Sequence, residues 1–189
     1  METADRIILG IDPGTNFMGY GVVCIRSGKP LLMGMGVLDL KSGKKDAYQK
    51  LKEIYDKTFS VIEHFGATEF AIESQFYGQN VQSMLKLGRA QGVAIAAALQ
   101  KNLPVTEYAP LKIKQVITGN GMASKEQVAA MLKQYLDIPD DKMPEHLDAT
   151  DAIGVALCHH FQTSTVLKGA KKFNSWNDFV NQHNSRVKK

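Results

Sequence analysis

Two short apolar segments, each ending in a carboxylate, constrain the fold of this chain more than any other feature. Arg6–Asp12 (RIILGID) ends in an acid and runs into Pro13-Gly14, and Glu69–Glu73 (EFAIE) also ends in an acid. A short apolar run closed by turn residues is typical of a buried strand. Functional side chains of open α/β sheets gather at the carboxyl ends of strands. If these two strands are neighbours, Asp12 and Glu73 are expected to lie side by side.

Three further strands are predicted around this pair. Gly19–Ile25 and Leu32–Leu38 are separated by the breaker Ser-Gly-Lys-Pro, which predicts a hairpin. Gly34 and Gly36 weaken the second of these predictions, because glycine has no side chain to pack in a strand. Pro104–Tyr108 is the fifth candidate.

Apolar spacing and capping signals predict five helices, at Asp46–Phe65, Val81–Leu99, Pro110–Ile117, Ser124–Leu136 and about Glu145–Phe161. The order of three strands, helix, strand, helix, strand and helices indicates an α/β fold, a five-stranded mixed sheet flanked by helices. We predict one domain over residues 1–162. Beyond it, residues 163–189 lose hydrophobic periodicity and are predicted to form a basic, flexible tail.

Composition is that of a globular protein, with 44% hydrophobic and 22% charged residues. No apolar run approaches the roughly 18 residues that span a bilayer, so no membrane contact is expected. The first residues lack a signal-peptide layout, which favours a cytoplasmic location. Cys24 and Cys158 sit within apolar segments and are predicted to be buried, reduced thiols.

Positive charge is concentrated in the tail. Residues 163–189 carry six basic residues and one acid, a net +5, so the total of +4 leaves −1 for residues 1–162. A nearly neutral body with a basic tail slightly favours a nucleic-acid partner.

Two further acids lie three residues apart in a predicted helix, and Asp148 and Asp151 therefore share one face. A helix crossing the sheet edge could bring that face to Asp12 and Glu73. Four carboxylates in one partly buried place repel unless cations neutralise them. Oxygen-only ligands suit Mg²⁺ or Mn²⁺, and paired ions are used in phosphodiester hydrolysis. Each acid alone has a simpler reading, as a turn residue, a helix-start residue or a solvent-facing side chain, but together they favour a metal site.

Several segments resemble, in order and without large gaps, the RuvC family of bacterial Holliday-junction resolvases. They are ILGIDPGTNFMGYGVV, FAIESQFYGQN, LKLGRAQGVAIAAAL, EYAPLKIKQVITGNGMASKEQV and LDATDAIGVALCHH, spanning about Ile7 to His160. The resemblance implies an RNase H-like fold, a homodimer and Mg²⁺-dependent paired nicking of four-way DNA junctions. It also implies that the four catalytic acids are Asp12, Glu73, Asp148 and Asp151.

The resemblance implies further contacts around the acids. Phe76 matches an aromatic that stacks on junction bases, and Lys114 and Lys125 match two lysines near the scissile phosphate. The small residues of Val81–Leu99 imply a dimer contact, and Lys86 and Arg89 on the same helix could touch the DNA backbone. The RuvA–RuvB branch-migration complex is a candidate partner.

Some positions depart from the family pattern or lie outside it. Family members vary at the position of Asp148, and His146, two residues earlier, is expected to point elsewhere. His159 and His160 are interpreted as residues at the C-terminal end of the helix, where their charge would interact favourably with the helix dipole. The tail with Trp176 has no counterpart to carry over.

Three other functions are compatible with parts of this sequence. IDPGT resembles the phosphate loop of actin-like and sugar-kinase ATPases, but those enzymes usually need two large lobes. A non-catalytic junction-binding module would not need four acids. A related RNase H-like nuclease acting on RNA–DNA hybrids would use the same cluster, and substrate comparison separates it from a junction nuclease.

Overall fold

A five-stranded mixed sheet forms the centre of the molecule. The structure is a computed structural model and describes residues 5–75, 80–139 and 147–167. The strands are β1 (Arg6–Asp12), β2 (Phe17–Arg26), β3 (Lys29–Asp39), β4 (Glu69–Glu73) and β5 (Val105–Tyr108). Their order is β3-β2-β1-β4-β5. β1, β4 and β5 run parallel, and β2 is antiparallel to both of its neighbours, so the predicted mixed sheet is confirmed.

Strand β1 lies in the middle of the sheet and is buried on both faces. Ile8, Leu9 and Ile11 have no exposed surface. A strand covered on both sides requires a nearly continuous apolar run, which is what its sequence supplies.

The hairpin of β2 and β3 turns at Ser27 and Gly28, whose φ angles of 51° and 79° are both positive. Two positive φ values define the tight turn that matches the twist of paired strands. Pro30 is tolerated after it because β3 is an edge strand.

Five helices pack on the sheet: α1 (Ala47–Phe65), α2 (Val81–Gln100), α3 (Pro110–Thr118), α4 (Lys125–Leu136) and α5 (Leu147–Leu167). Ser124 forms a capping box with Gln127 at the start of α4, and Asp46 forms another with Gln49 at the start of α1. α5 continues to Leu167 instead of ending near Phe161, so it enters the segment predicted as a tail. The rest of that segment lies outside the described residues.

The helices form a layer on each face of the sheet. α1 and α2 pack on one face around Phe70 and Ile72, and α5, with α3 and α4, covers the other around Ile153 and Leu157. Alternate strand residues point to opposite faces, so Asp12 belongs with Gly10 on the α5 side. Glu73 likewise belongs with Ala71 on that side.

Candidate metal centre

Asp12 and Glu73 end two adjacent parallel strands. The register of β1 and β4 pairs Ile11 with Ile72, and each acid is the next residue along its strand. β1 and β4 are neighbours in the sheet, as the predicted proximity of Asp12 and Glu73 requires. Both carboxylates therefore face α5 at the same edge of the sheet.

Helix α5 lies directly on the backbone of β1 and β2, along a row of three glycines that we call the glycine seam: Gly10, Gly19 and Gly21. A Cβ on Gly10 would lie 2.2 Å from the carbonyl oxygen of Ala152, and one on Gly19 would lie 2.0 Å from that of Asp148. A Cβ on Gly21 would lie 2.8 Å from the amide nitrogen of Ile153. No side chain fits in these spaces, so the absence of Cβ atoms sets how close the helix comes to the sheet.

This close approach brings the two helix acids to the strand edge. Asp12, Asp148 and Asp151 each offer a carboxylate oxygen, and these three atoms all lie within 4.8 Å of one another. Glu73 lies beside them and lines, with Asp12 and Asp151, a cavity of about 260 Å³. The structure therefore brings together all four acids identified from the sequence.

Burial and mutual repulsion make this cluster hold protons when no cation is present. Burial raises the pKa of Asp12 to about 8, with further contributions from the negative charges of Glu73, Asp151 and Asp148. Burial, followed by the charge of Asp151, raises the pKa of Glu73 to about 7. Near neutral pH the cluster is therefore stable as four carboxylates only when positive charge compensates it.

Two lysines supply part of that charge. The ammonium group of Lys125, the first residue of α4, donates a hydrogen bond to Asp151. Burial lowers the pKa of Lys125, but the hydrogen bond and the neighbouring carboxylates outweigh burial and raise it. Lys114 of α3 lines the same cavity, and its charge opposes the rise in the pKa of Glu73. Both lysines predicted near the scissile phosphate thus lie at the site.

The donor set fits a hard divalent cation. It consists of carboxylate oxygens that are partly buried, clustered, and more numerous than the adjacent cations can neutralise. Mg²⁺ and Mn²⁺ favour such oxygen ligands, whereas zinc favours nitrogen and sulfur. The cluster can hold a metal ion of this kind.

The remaining predicted site residues lie away from the acidic cluster or outside the residues that the structure describes. Lys86 and Arg89 are exposed on α2, on the opposite side of the sheet, where they line a second cavity. Phe76, His146 and Trp176 lie outside the described residues. Cys24 and Cys158 are buried and unbonded, as predicted.

The interpretation of His159 and His160 as C-terminal helix residues was wrong. α5 continues past both of them to Leu167, and they are only 5% and 4% exposed. Its Nε2 lies 2.7 Å from Glu69 Oε2, and its Nδ1 lies 2.9 Å from the Tyr108 hydroxyl. Arg6 donates two hydrogen bonds to Glu69, at 2.5 and 2.7 Å. This hydrogen-bond network joins α5 to β1, β4 and β5. Its members are far apart in the sequence, so no local sequence pattern predicts it.

No helix in the described ranges is both long and apolar enough to cross a membrane. The sheet order, the helices on both faces and the acids at one strand edge define an RNase H-like fold with a candidate metal centre. The chain belongs to the RuvC family: the family model, described as crossover junction endodeoxyribonuclease RuvC, matches residues 8–159.

Relatives of the same description match over the whole length. The chain is 52% identical to the crossover junction endodeoxyribonuclease RuvC of Porphyromonas gingivalis, over 100% of both chains. It is 50% identical to that of Bacteroides fragilis, over 97% of each.

Solved structures agree with the fold. The RuvC of T. thermophilus in complex with a Holliday junction substrate has a TM-score of 0.78 at 30% identity, covering 85% of this chain and 96% of that one. The yeast mitochondrial Holliday junction resolvase Ydc2 has a TM-score of 0.65, covering 93% and 83%. At 14% identity, this second likeness concerns the fold alone.

Proposed function

We propose that this chain is an Mg²⁺-dependent endonuclease that resolves four-way DNA junctions by paired symmetric nicks during recombination and repair. The observation that carries the proposal is the convergence of carboxylates from β1, β4 and α5 in one cavity with two lysines. The resolvase names of its relatives, and the junction held by the T. thermophilus structure, support the choice of substrate.

Asp12, Glu73, Asp148 and Asp151 are the proposed metal ligands and catalytic residues. Two Mg²⁺ ions, or Mn²⁺ in their place, would supply positive charge at the scissile phosphate and acidify the attacking water. The carboxylates orient the reacting groups, and their partial burial keeps bulk water from competing. Lys114 and Lys125 reduce the negative charge that the phosphate and the acids bring together.

The proposal includes contacts with the rest of the junction. Phe76 stacks on a base that is unpaired near the crossover, a contact worth about 1–3 kcal/mol. Lys86 and Arg89, which are exposed on α2, contact the DNA backbone. The RuvA–RuvB complex is a proposed partner on the resemblance alone.

We further propose that the enzyme is a homodimer formed through α2. Its exposed face carries Val81, Leu85 and Leu99, which are 66%, 53% and 56% exposed, with Gly88 and Gly92 between them. Exposed apolar side chains with small residues between them allow two helices to approach closely. A twofold dimer matches the near twofold symmetry of a junction that requires two cuts.

A synthetic four-way junction and an RNA–DNA hybrid duplex of matched sequence test the function together. We expect nicking of the junction with Mg²⁺ and little cleavage of the hybrid. Asp12→Asn should bind the junction but not cut it, because the metal site loses a charged ligand. Cleavage by that variant would contradict the mechanism, and preferred cleavage of the hybrid would contradict the substrate.

A further inference from the structure

A second cavity lies on the side of the sheet away from the metal centre. It has a volume of about 270 Å³ and lies between the first half of α1, the first half of α2 and the loop that follows Asp12. We call it the α1–α2 groove. Its floor is apolar and consists of Leu40, Leu51, Ile54 and Ala90.

The rim of the groove is strongly basic. Four cations line it, and no acidic side chain does: Lys45, Lys50, Lys86 and Arg89. Lys45 forms an ion pair with Glu53, at 2.7 Å. The other three have no ion-pair partner within the described part of the chain. Like charges held around so small a space repel one another, so this arrangement favours an anionic ligand.

Side chains, not the end of helix α1, would hold the anion. Asp46 caps that helix and accepts hydrogen bonds from the backbone amides of Tyr48 and Gln49. Two of the amides that could bind a phosphate at the start of α1 are therefore already used. The binding capacity therefore lies in the ammonium and guanidinium groups of the rim, whose several positive charges suit a ligand with several phosphates.

The groove is close to the metal centre along the chain. Thr15 and Asn16 line its edge, and Thr15 is three residues after Asp12. Three extended residues span at most about 11 Å. The edge of the groove at Thr15 therefore lies within about 11 Å of Asp12, measured between Cα atoms.

We infer that the α1–α2 groove binds the sugar–phosphate backbone of a junction strand beside the nicking site. Phosphates contact the free cations of the rim, and a deoxyribose packs on the apolar floor. The inference rests on the proposed function and extends it. It assigns Lys50 a DNA contact and places Lys86 and Arg89 in the same binding surface. The bound strand would run from the metal centre past Thr15 into the groove.

Salt-dependent binding tests the groove. Equilibrium binding of the full chain to a four-way junction is measured in EDTA over a range of salt concentrations. Each lost phosphate contact should reduce the slope of log K against log salt by about 0.7–0.9. We expect Lys50→Gln and Arg89→Gln each to show this reduction and to bind about three- to tenfold more weakly, whereas Lys50→Arg should behave like the wild type.

Lys52→Gln is the matched control. Lys52 lies two residues further along α1, pairs with Asp56 and does not line the groove. Removing its charge changes the net charge by the same amount, so the slope should stay at the wild-type value. If Lys50→Gln and Arg89→Gln match the wild type, or if Lys52→Gln lowers the slope equally, the groove does not bind DNA.

Crosslinking gives a second readout that does not depend on affinity. Ala47 lines the groove, and both native cysteines are buried. Ala47→Cys should form a disulfide, by thiol–disulfide exchange, with a junction that carries an activated disulfide tether within a few nucleotides of the nick, and should release the tether's leaving thiol, whereas Lys52→Cys should not. Equal yields at both positions would overturn the inference. Wild-type nicking in the same reactions separates this result from a failure of the proposed function, in which the wild type would not cut the junction.

Discussion

The ammonium group of Lys125 is hydrogen-bonded to the carboxylate of Asp151, inside the cluster that is proposed to hold metal. Lys125 belongs to α4 and Asp151 to α5, so the contact also joins two helices. In the absence of metal, this lysine is the nearest positive charge to the acids. It therefore has two opposite effects, stabilising the metal-free cluster and competing electrostatically with a bound cation.

Lys125→Gln should separate these effects. Without the nearby charge, the cluster should bind Mn²⁺ several-fold more tightly, because less repulsion opposes the ion. Junction nicking should fall by about 100-fold or more, because charge at the scissile phosphate is lost. Titration calorimetry and single-turnover cleavage measure the two quantities. Lys112→Gln, on an exposed part of α3, should change neither, and weaker Mn²⁺ binding by Lys125→Gln would contradict this account.

Asp12→Asn should stabilise the metal-free protein. The pKa of Asp12 is raised to about 8 in the folded state, so the folded chain binds this proton more tightly than the unfolded chain. The resulting stabilisation is complete below the unfolded pKa of about 4 and is lost as pH rises through 8. The amide avoids that loss, so in EDTA at pH 8 we expect a gain of about 2 kcal/mol, or about 4–8 °C in Tm.

The same melting experiments contain their own checks. Added Mn²⁺ should raise the Tm of the wild type and have much less effect on Asp12→Asn. Asp39→Asn is a useful comparison, because the backbone amides of Lys41 and Ser42 lower the pKa of Asp39. That variant should not be stabilised at any pH. If the wild type is more stable than Asp12→Asn in EDTA at pH 8, burial and repulsion among the carboxylates do not destabilise the metal-free protein.

Gly19→Ala should damage the metal centre through the backbone. The new Cβ would lie 2.0 Å from the carbonyl oxygen of Asp148, so α5 must move away from the sheet. A misplacement of about 1 Å can cost about 100-fold in rate, and overpacking typically costs about 1–3 kcal/mol. We expect a comparable loss of nicking and a weaker Mn²⁺-induced rise in Tm, with junction binding in EDTA retained.

Gly154→Ala is the control for the glycine seam. Gly154 lies on α5, and its Cβ would meet only side chains, of Ile113, Leu132 and Val128, at ordinary distances of 3.5 to 4.0 Å. The change should leave nicking intact and could add up to about 1 kcal/mol from helix propensity. If both glycine variants cut at the same rate, the distance between helix and sheet does not set the site.

Glu69→Gln should lower stability at neutral pH but not at acid pH. Arg6, followed by His159, holds the pKa of Glu69 below its usual value, against the effect of burial. This contribution is present above the unfolded pKa of about 4 and is lost as pH falls through the folded pKa. We expect a cost of about 2 kcal/mol at pH 7 that shrinks towards pH 3, measured by urea unfolding. Glu53→Gln, which breaks a more exposed pair, should cost less than about 1 kcal/mol.

Local sequence patterns were enough to locate most of the fold. β1 and β4 have the predicted bounds, because each is a short apolar run between turn residues. Gly34 and Gly36 weakened the prediction of β3, yet the strand forms because rings occupy the space that side chains would fill. The ring of Phe65 lies against Gly34, and that of Tyr20 lies against Gly36. Such compensation depends on residues distant in sequence and is invisible to a local pattern.

The sequence predicted which residues form the candidate site but not how the fold brings them together. Chemistry and resemblance identified the four acids, yet no spacing rule relates Gly19 to Asp148, which are far apart in the chain and in contact in the fold. The burial of His159 was missed for the same reason, since its partners lie on other strands. The α1–α2 groove is formed by three segments, so its basic residues are brought together only when these segments pack.

The order in which the acids occur along the chain has a consequence during synthesis. Asp12 and Glu73 belong to early elements, whereas Asp148 and Asp151 belong to α5, the last helix of the described chain. Until α5 leaves the ribosome, it cannot cover its face of β1 and β2, and the acidic cluster has only two of its four carboxylates. A nascent chain without α5 therefore has neither a complete core nor a complete acidic cluster, so the proposed nicking activity requires that α5 has folded onto the sheet.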